Sequence, residues 1–174
     1  MRMFGKVRLL NQAEYEALQN KYGPEPLAKD LNPAEFARIL QTKDTKIKNL
    51  LMEQDKISGL GNIYATEALF LAGIQPEERT KDLSQKQIEL LLKAIKKVIQ
   101  DGILYRGSTL NDEMFVDVFG KKGKNQEHLK IYNKKTCPNC NSKVETVKIS
   151  GRNSYFCPNC QPKINPITKL FPDK

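Results

Sequence analysis

No apolar run in these 174 residues approaches the roughly 18 that a bilayer-spanning helix needs, and the opening Met1-Arg2-Met3-Phe4-Gly5-Lys6 lacks the apolar stretch of a secretory leader. A cytoplasmic protein is expected. Acidic side chains are scarce at one end of the chain. Residues 121–174 carry three (Glu127, Glu145 and Asp173) against 12 Lys or Arg, whereas residues 1–120 carry 17 of each sign, so the whole formal charge of +9 lies in the last third. By itself that imbalance suits a polyanionic partner and a solvated lysine-rich surface about equally. Cysteine is absent outside one stretch near the C-terminus, and there is no internal repeat or low-complexity tract. With 39% apolar and 28% charged residues, the chain can bury the core of one or two small domains.

The apolar periodicity is mostly helical. After strand-like residues in 1–10 and a short segment Ala13–Tyr22, the cluster Gly23-Pro24-Glu25-Pro26 makes a turn that no helix crosses. Asn32 as N-cap, Pro33 at the first helical position and Glu35 at the third open an amphipathic helix bearing Phe36, Ile39 and Leu40. Asp44 is placed to cap a second helix with Ile47, Leu50 and Leu51 on one face. Gly59 and Gly61 suit a tight turn, and Asn62 is placed to cap a helix over Ile63–Ala72. Its stripe of Ala65, Ala68, Leu69 and Ala72 is small enough for a second helix to approach closely. Gly73 closes that helix. Ser84 and Gln87 form a capping box for the longest one, with Ile88, Leu91, Leu92, Ile95, Val98 and Ile99 along a single face. From Gly102 to Lys135 the pattern fades into a Gly-, Lys- and Asn-rich connection that reads as mobile, and its length suits either function or disorder.

All four cysteines fall in two knuckles, Cys137-Pro138-Asn139-Cys140 and Cys157-Pro158-Asn159-Cys160, separated by 16 residues. Each knuckle can offer two sulfurs to one side of a tetrahedron, the spacing of a four-thiolate structural zinc site; disulfide pairing is the alternative that an intracellular setting disfavours. Between the knuckles, alternation over Lys143–Ile149, a turn at Ser150-Gly151-Arg152-Asn153 and a return over Ser154-Tyr155-Phe156 predict a two-strand ribbon. Four protein ligands leave no open position on the metal, so one structural Zn2+ ion is expected, with Arg152 at the hairpin tip able to reach a phosphate or simply to sit in solvent.

The run Gly59-Leu60-Gly61-Asn62-Ile63-Tyr64-Ala65-Thr66-Glu67-Ala68-Leu69-Phe70, followed by Ala72-Gly73-Ile74-Gln75-Pro76, resembles the helix-two-turn-helix signature of the formamidopyrimidine-DNA glycosylases, with endonuclease VIII as the related branch. Gly23-Pro24-Glu25-Pro26-Leu27, Ile47-Lys48, Gly107-Ser108-Thr109-Leu110, Ile131-Tyr132 and Tyr155 through Gln161 match the same family in order. The resemblance covers about residues 1–161. It implies a mainly α fold with a small β part: a remnant of an upstream domain and linker (1–30), a helix-two-turn-helix DNA-binding domain (31–106), a lesion-recognition-like loop and connection (107–135), a four-cysteine zinc ribbon hairpin (136–161) and a tail (162–174).

The resemblance also implies roles. Asn62, Arg152 and Tyr132 match residues that hold DNA phosphates, and Lys48 matches a lysine near the damage site. Arg2 and Phe4 match a loop that fills the gap left by a flipped nucleotide, and Gly107, Ser108 and Thr109 begin the loop that closes over the flipped base. Met3 and Asn133 depart from the family pattern, where a basic residue and a glycine are usual. The family's chemistry uses an N-terminal proline amine, a neighbouring glutamate and an upstream lysine, none of which this chain contains, so it is expected to be a piece of such an enzyme. The implied function is damaged-DNA binding within base-excision repair by a glycosylase and AP lyase acting on oxidised purines. The partner would be double-stranded damaged DNA, with a separate N-terminal catalytic domain as a second candidate, and a monomer is expected. Two alternatives stay open: a residual lyase using Lys48 as its amine, and a zinc-ribbon adaptor for an acidic protein.

Overall fold

The computed structural model describes residues 7–109, 116 and 119–164. Among the described residues, five α-helices precede one antiparallel hairpin: α1 (Gln12–Gln19), α2 (Pro33–Gln41), α3 (Ile47–Met52), α4 (Asn62–Leu71), α5 (Gln85–Leu104), β1 (Glu145–Ile149) and β2 (Arg152–Phe156), with 3-10 turns at Thr80–Asp82 and Asn125–Glu127. The expected mainly α fold with a zinc-ribbon hairpin is what the chain adopts. No helix among the described residues is long and apolar enough to cross a membrane.

Local chemistry accounts for most helix ends. Asn32 Oδ1 accepts the Glu35 N–H at 3.0 Å with Pro33 at the first position of α2, and Ser84 and Gln87 cap α5 reciprocally. Gly73 ends α4 at φ 67°, where the Ile74 N–H returns to Leu69 O and the Gly73 N–H to Phe70 O. Two cap expectations need correction. The N-cap of α3 is Lys46, with no side-chain cap, because the Asp44 carboxylate is engaged by the Arg79 guanidinium 35 residues away. The N-cap of α4 is Gly61, and Asn62 is the first helical residue.

Ile88, Leu91, Leu92, Ile95 and Val98 of α5 are buried as their spacing requires, against Leu50, Leu51, Ala65, Ala68 and Leu69 of α3 and α4. Each such aliphatic side chain contributes about 1.5–3 kcal/mol on leaving water. Helix α4 is buried on every side from Ala65 to Phe70, because α5 covers one face and the ribbon the other. Gly102 of α5 makes room for the Tyr64 side chain of α4: a Cβ there would lie 2.4 Å from the Tyr64 hydroxyl. A second, smaller core joins Phe70, Ile131, Val144, Cys137 and Cys157.

The hairpin turns at Ser150-Gly151, both at positive φ, so Arg152 and Asn153 lie in β2 and not in the turn; Arg152 pairs with Ile149. The connection after α5 also differs from its expectation. Helix α5 runs on to Leu104, and residues 123–132 are tied down: Lys124 N–H reaches Tyr105 O, Asn125 N–H reaches Gly107 O, and Tyr105 stacks on His128. Periodicity carries no sign of these anchors because every one is a contact across the loop.

Candidate nucleic-acid interface and metal centre

The four cysteine sulfurs converge. Cys137 Sγ is 3.7 Å from Cys160 Sγ, and Cys140 Sγ is 3.5 Å from the sulfurs of both Cys157 and Cys160. A disulfide needs about 2.05 Å, whereas a tetrahedron with Zn–S bonds of about 2.3 Å has edges of about 3.8 Å, so the set fits zinc and not a bridge. The thiols perturb one another. Cys140 is drawn down to about 6, first by hydrogen bonds from Ser142, and Cys160 is pushed up to about 12, first by Cys140. Four thiolates at this spacing require a central cation, and with all four positions taken by protein the zinc is structural.

The knuckles are bolted to the helices by Gln161, which is fully buried. Its Oε1 accepts the Cys157 N–H at 2.9 Å, and its Nε2 donates to Ile74 O at 2.7 Å beyond the end of α4. Glu67 does the same for the approach to the ribbon. Its carboxylate accepts the N–H groups of Lys130, Ile131 and Tyr132 at 2.7–2.9 Å. Neither residue stands out in the sequence as a functional one. A signal for Glu67 existed: a helix apolar on all sides must be covered on all sides, so its one carboxylate needs internal partners.

These anchors set the hairpin tip against the start of α4. Asn62 Nδ2 donates to Asn153 O at 3.2 Å, while Ser150 Oγ donates to Asn49 Oδ1 of α3 at 2.7 Å. Among the described residues, Asn62 Oδ1 and Ser154 Oγ are buried without a hydrogen-bond partner. Arg152 is exposed beside this contact, and Tyr132, half-buried, packs edge-on against Tyr155 at 5.1 Å. Asn62, Arg152 and Lys48 are thus brought together, with Tyr132 on the segment that Glu67 holds.

Lys48 is not the solvated cation that a phosphate contact on the surface would be. It has no exposed surface, its Nζ donates to Thr66 Oγ1 at 2.6 Å, and that hydroxyl in turn donates to Asn62 O at 2.8 Å. Burial, then the nearby positive Arg152, lowers its amine from 10.5 to about 7.

At the base of the long loop, Thr109 Oγ1 accepts the Gly123 N–H at 2.9 Å, its N–H reaches Gln126 Oε1, and Ser108 Oγ accepts from Asn125 Nδ2. Gly107, at φ 79°, lies so close to Gly123 that a Cβ on Gly123 would sit 2.1 Å from Gly107 O. Gly107, Ser108 and Thr109 therefore pin the two ends of the loop together. Most of the loop between them, and Arg2 and Phe4, lie outside the described residues.

Residues 22–114 match the formamidopyrimidine-DNA glycosylase H2TH domain, and residues 134–163 match the zinc finger found in FPG and IleRS. The chain is 43% identical over 157 residues to the formamidopyrimidine-DNA glycosylase of Chloroflexus aurantiacus, covering 89% of this chain and 56% of that protein. Among solved structures, MutM (FPG) from Thermus thermophilus superposes with TM-score 0.81 at 32% identity, over 88% of this chain and 59% of that one. The Lactococcus lactis Fpg in complex with abasic-site DNA gives 0.77 at 38%, over 87% and 56%. The chain spans little more than half the length of the relatives it matches. With the H2TH match extending over more than half of its residues and the zinc centre in place, the chain belongs to the formamidopyrimidine-DNA glycosylase family.

Proposed function

We propose that this chain clamps damaged duplex DNA, holding backbone phosphates between the start of α4 and the ribbon tip, and does not cut DNA by itself. The observation that carries this reading is the junction of Asn62 with Asn153. It sets an α-helix N-terminus whose N-cap is a glycine, with no side chain to cap it, beside an exposed arginine on a metal-stapled hairpin. Unpaired N–H groups at a helix start favour an anion, and Arg152 adds a charged donor at the same place. Gly61 supports the same reading: its backbone is ordinary (φ −105°) and a Cβ there would meet nothing within 4 Å, so the chain itself has no need of a glycine, whereas an approaching backbone would.

Residues 31–106 and 136–161 would be the two jaws, and residues 107–135 the connection that presents Gly107, Ser108 and Thr109 toward a flipped base. Lys48, Tyr132, Arg2 and Phe4 belong to the same interface by resemblance. In a longer protein of the relatives' length, this part would offer an oxidised purine to an amine nucleophile carried elsewhere, for glycosidic cleavage and strand nicking in base-excision repair.

The test is binding of the zinc-loaded chain to a short duplex bearing an abasic-site analogue, across a salt series. Affinity should fall steeply with salt. Asn62→Ala and Arg152→Ala should each weaken binding roughly tenfold or more, since a hydrogen bond to a charged group is worth about 1.5–3 kcal/mol. Arg152→Ala should also reduce the salt slope by about one. Absence of binding at low salt would refute the clamp and favour an acidic protein as the partner of the basic C-terminal third.

A further inference from the structure

The surroundings of Lys48 leave its charge unaccounted for. A charged ammonium brings three donors, yet among the described residues the Nζ has one acceptor, Thr66 Oγ1, whose own proton is committed to Asn62 O. Among the described residues, the neighbouring elements supply no counter-charge. Glu67 of α4 is occupied by the three N–H groups of residues 130–132, Glu77 is paired with Lys46, and Glu78 accepts the Ile164 N–H. Helix α3 has no other ionisable side chain, and Arg152 of the ribbon has the same sign. A fully buried amine with one hydrogen bond, no carboxylate and a cation nearby is driven toward its neutral form.

We infer that Lys48 is the concealed half of the phosphate site: neutral in the free protein, it takes up one proton from solvent when a DNA phosphate docks against Arg152 and the start of α4. The inference rests on the DNA-binding reading above. The anion cancels the field of Arg152 and supplies the missing counter-charge one layer above the amine, and the chain Lys48–Thr66–Asn62 links the buried nitrogen to the helix start where the anion sits. The lowering of the amine to about 7 agrees with this geometry and places the proton uptake in the physiological range. A clamp built this way keeps a charge available to DNA without exposing it to solvent.

Linkage fixes the test. Calorimetric titration of the zinc-loaded chain with abasic-analogue duplex at pH 8, in two buffers of different ionisation enthalpy, should show uptake approaching one proton per complex. Affinity should weaken by up to about tenfold per pH unit between pH 7 and 9. Lys48→Met should abolish both effects, while His128→Asn, at the chain's one histidine, should leave them unchanged. Equal uptake in the native chain and Lys48→Met, or none in the native chain, overturns the inference while leaving the clamp intact; no binding at any pH overturns both. Should Lys48→Met fail to fold, the Lys48 13Cε resonance of the native protein decides. A midpoint near 7 that rises when DNA binds is expected, and a midpoint near 10 in the free protein overturns the inference.

Discussion

Glu67 and Lys48 face opposite sides of the same difficulty, a charged group inside an apolar layer, and the fold handles them differently. Glu67 receives three backbone N–H groups, enough to replace the water it has lost, whereas Lys48 receives a single hydroxyl. The cost of burying Lys48 therefore falls on its proton. Its amine lies near 7 in the folded chain and near 10.5 in the unfolded one. Below about pH 7 both states hold the proton, and the fold bears the whole cost of burying it. Between about 7 and 10.5 the unfolded chain holds a proton that the folded chain has released, so the contribution of this position to stability rises with pH across that window. Lys48→Met should accordingly be more stable than the native protein at pH 6, by a margin that shrinks toward pH 9.5. Urea unfolding of both proteins at the two pH values measures it; a margin that does not change with pH would mean that Lys48 titrates in the fold as it does in the unfolded chain.

At the level of elements, whatever depends on neighbours in sequence was readable and whatever depends on distant ones was not. The caps of α2 and α5, the Gly73 stop and the stripe of α5 follow from residues within one or two turns. Asp44 and Asn62 carry equally good cap chemistry, yet their side chains go to Arg79 and Asn153, 35 and 91 residues away. The partners of Glu67 and Gln161 are hidden for the same reason, since each is a backbone segment that only the tertiary fold brings near; the sequence signals only that Glu67 needs some. The cysteine knuckles are the opposite case, because two residues between ligands already fix the geometry of half a site. The ribbon's own core has five buried members, two of them zinc ligands, and it is separate from the helical core. Zinc chelation should therefore remove amide protection from residues 145–156 while leaving most helical circular dichroism, and should weaken DNA binding by releasing Arg152 and Asn153 from α4. Protection that survives chelation would mean that packing on Phe70 and Ile131, and not metal, holds the hairpin.

For the molecule as a whole, the question is whether a clamp with a neutral amine inside it can also do chemistry. Lyase action begins when an uncharged amine attacks the sugar aldehyde of an abasic site, expelling water and leaving an imine that borohydride reduces to a stable amine. Lys48 meets the first condition, which gives the residual-lyase alternative more substance than it has from sequence alone. It fails the others. The nitrogen has no exposed surface, and among the described residues no carboxylate is hydrogen-bonded to it to shuttle protons. DNA phosphate docking would protonate it and so remove the nucleophile at the moment substrate arrives. Borohydride treatment of the zinc-loaded chain with abasic DNA should therefore yield no covalent adduct at pH 7 or at pH 9, under conditions where the two are bound. An adduct mapped to Lys48 would show that the layer above it opens on binding, and it would turn the proton uptake proposed for this lysine into a brake on a real activity.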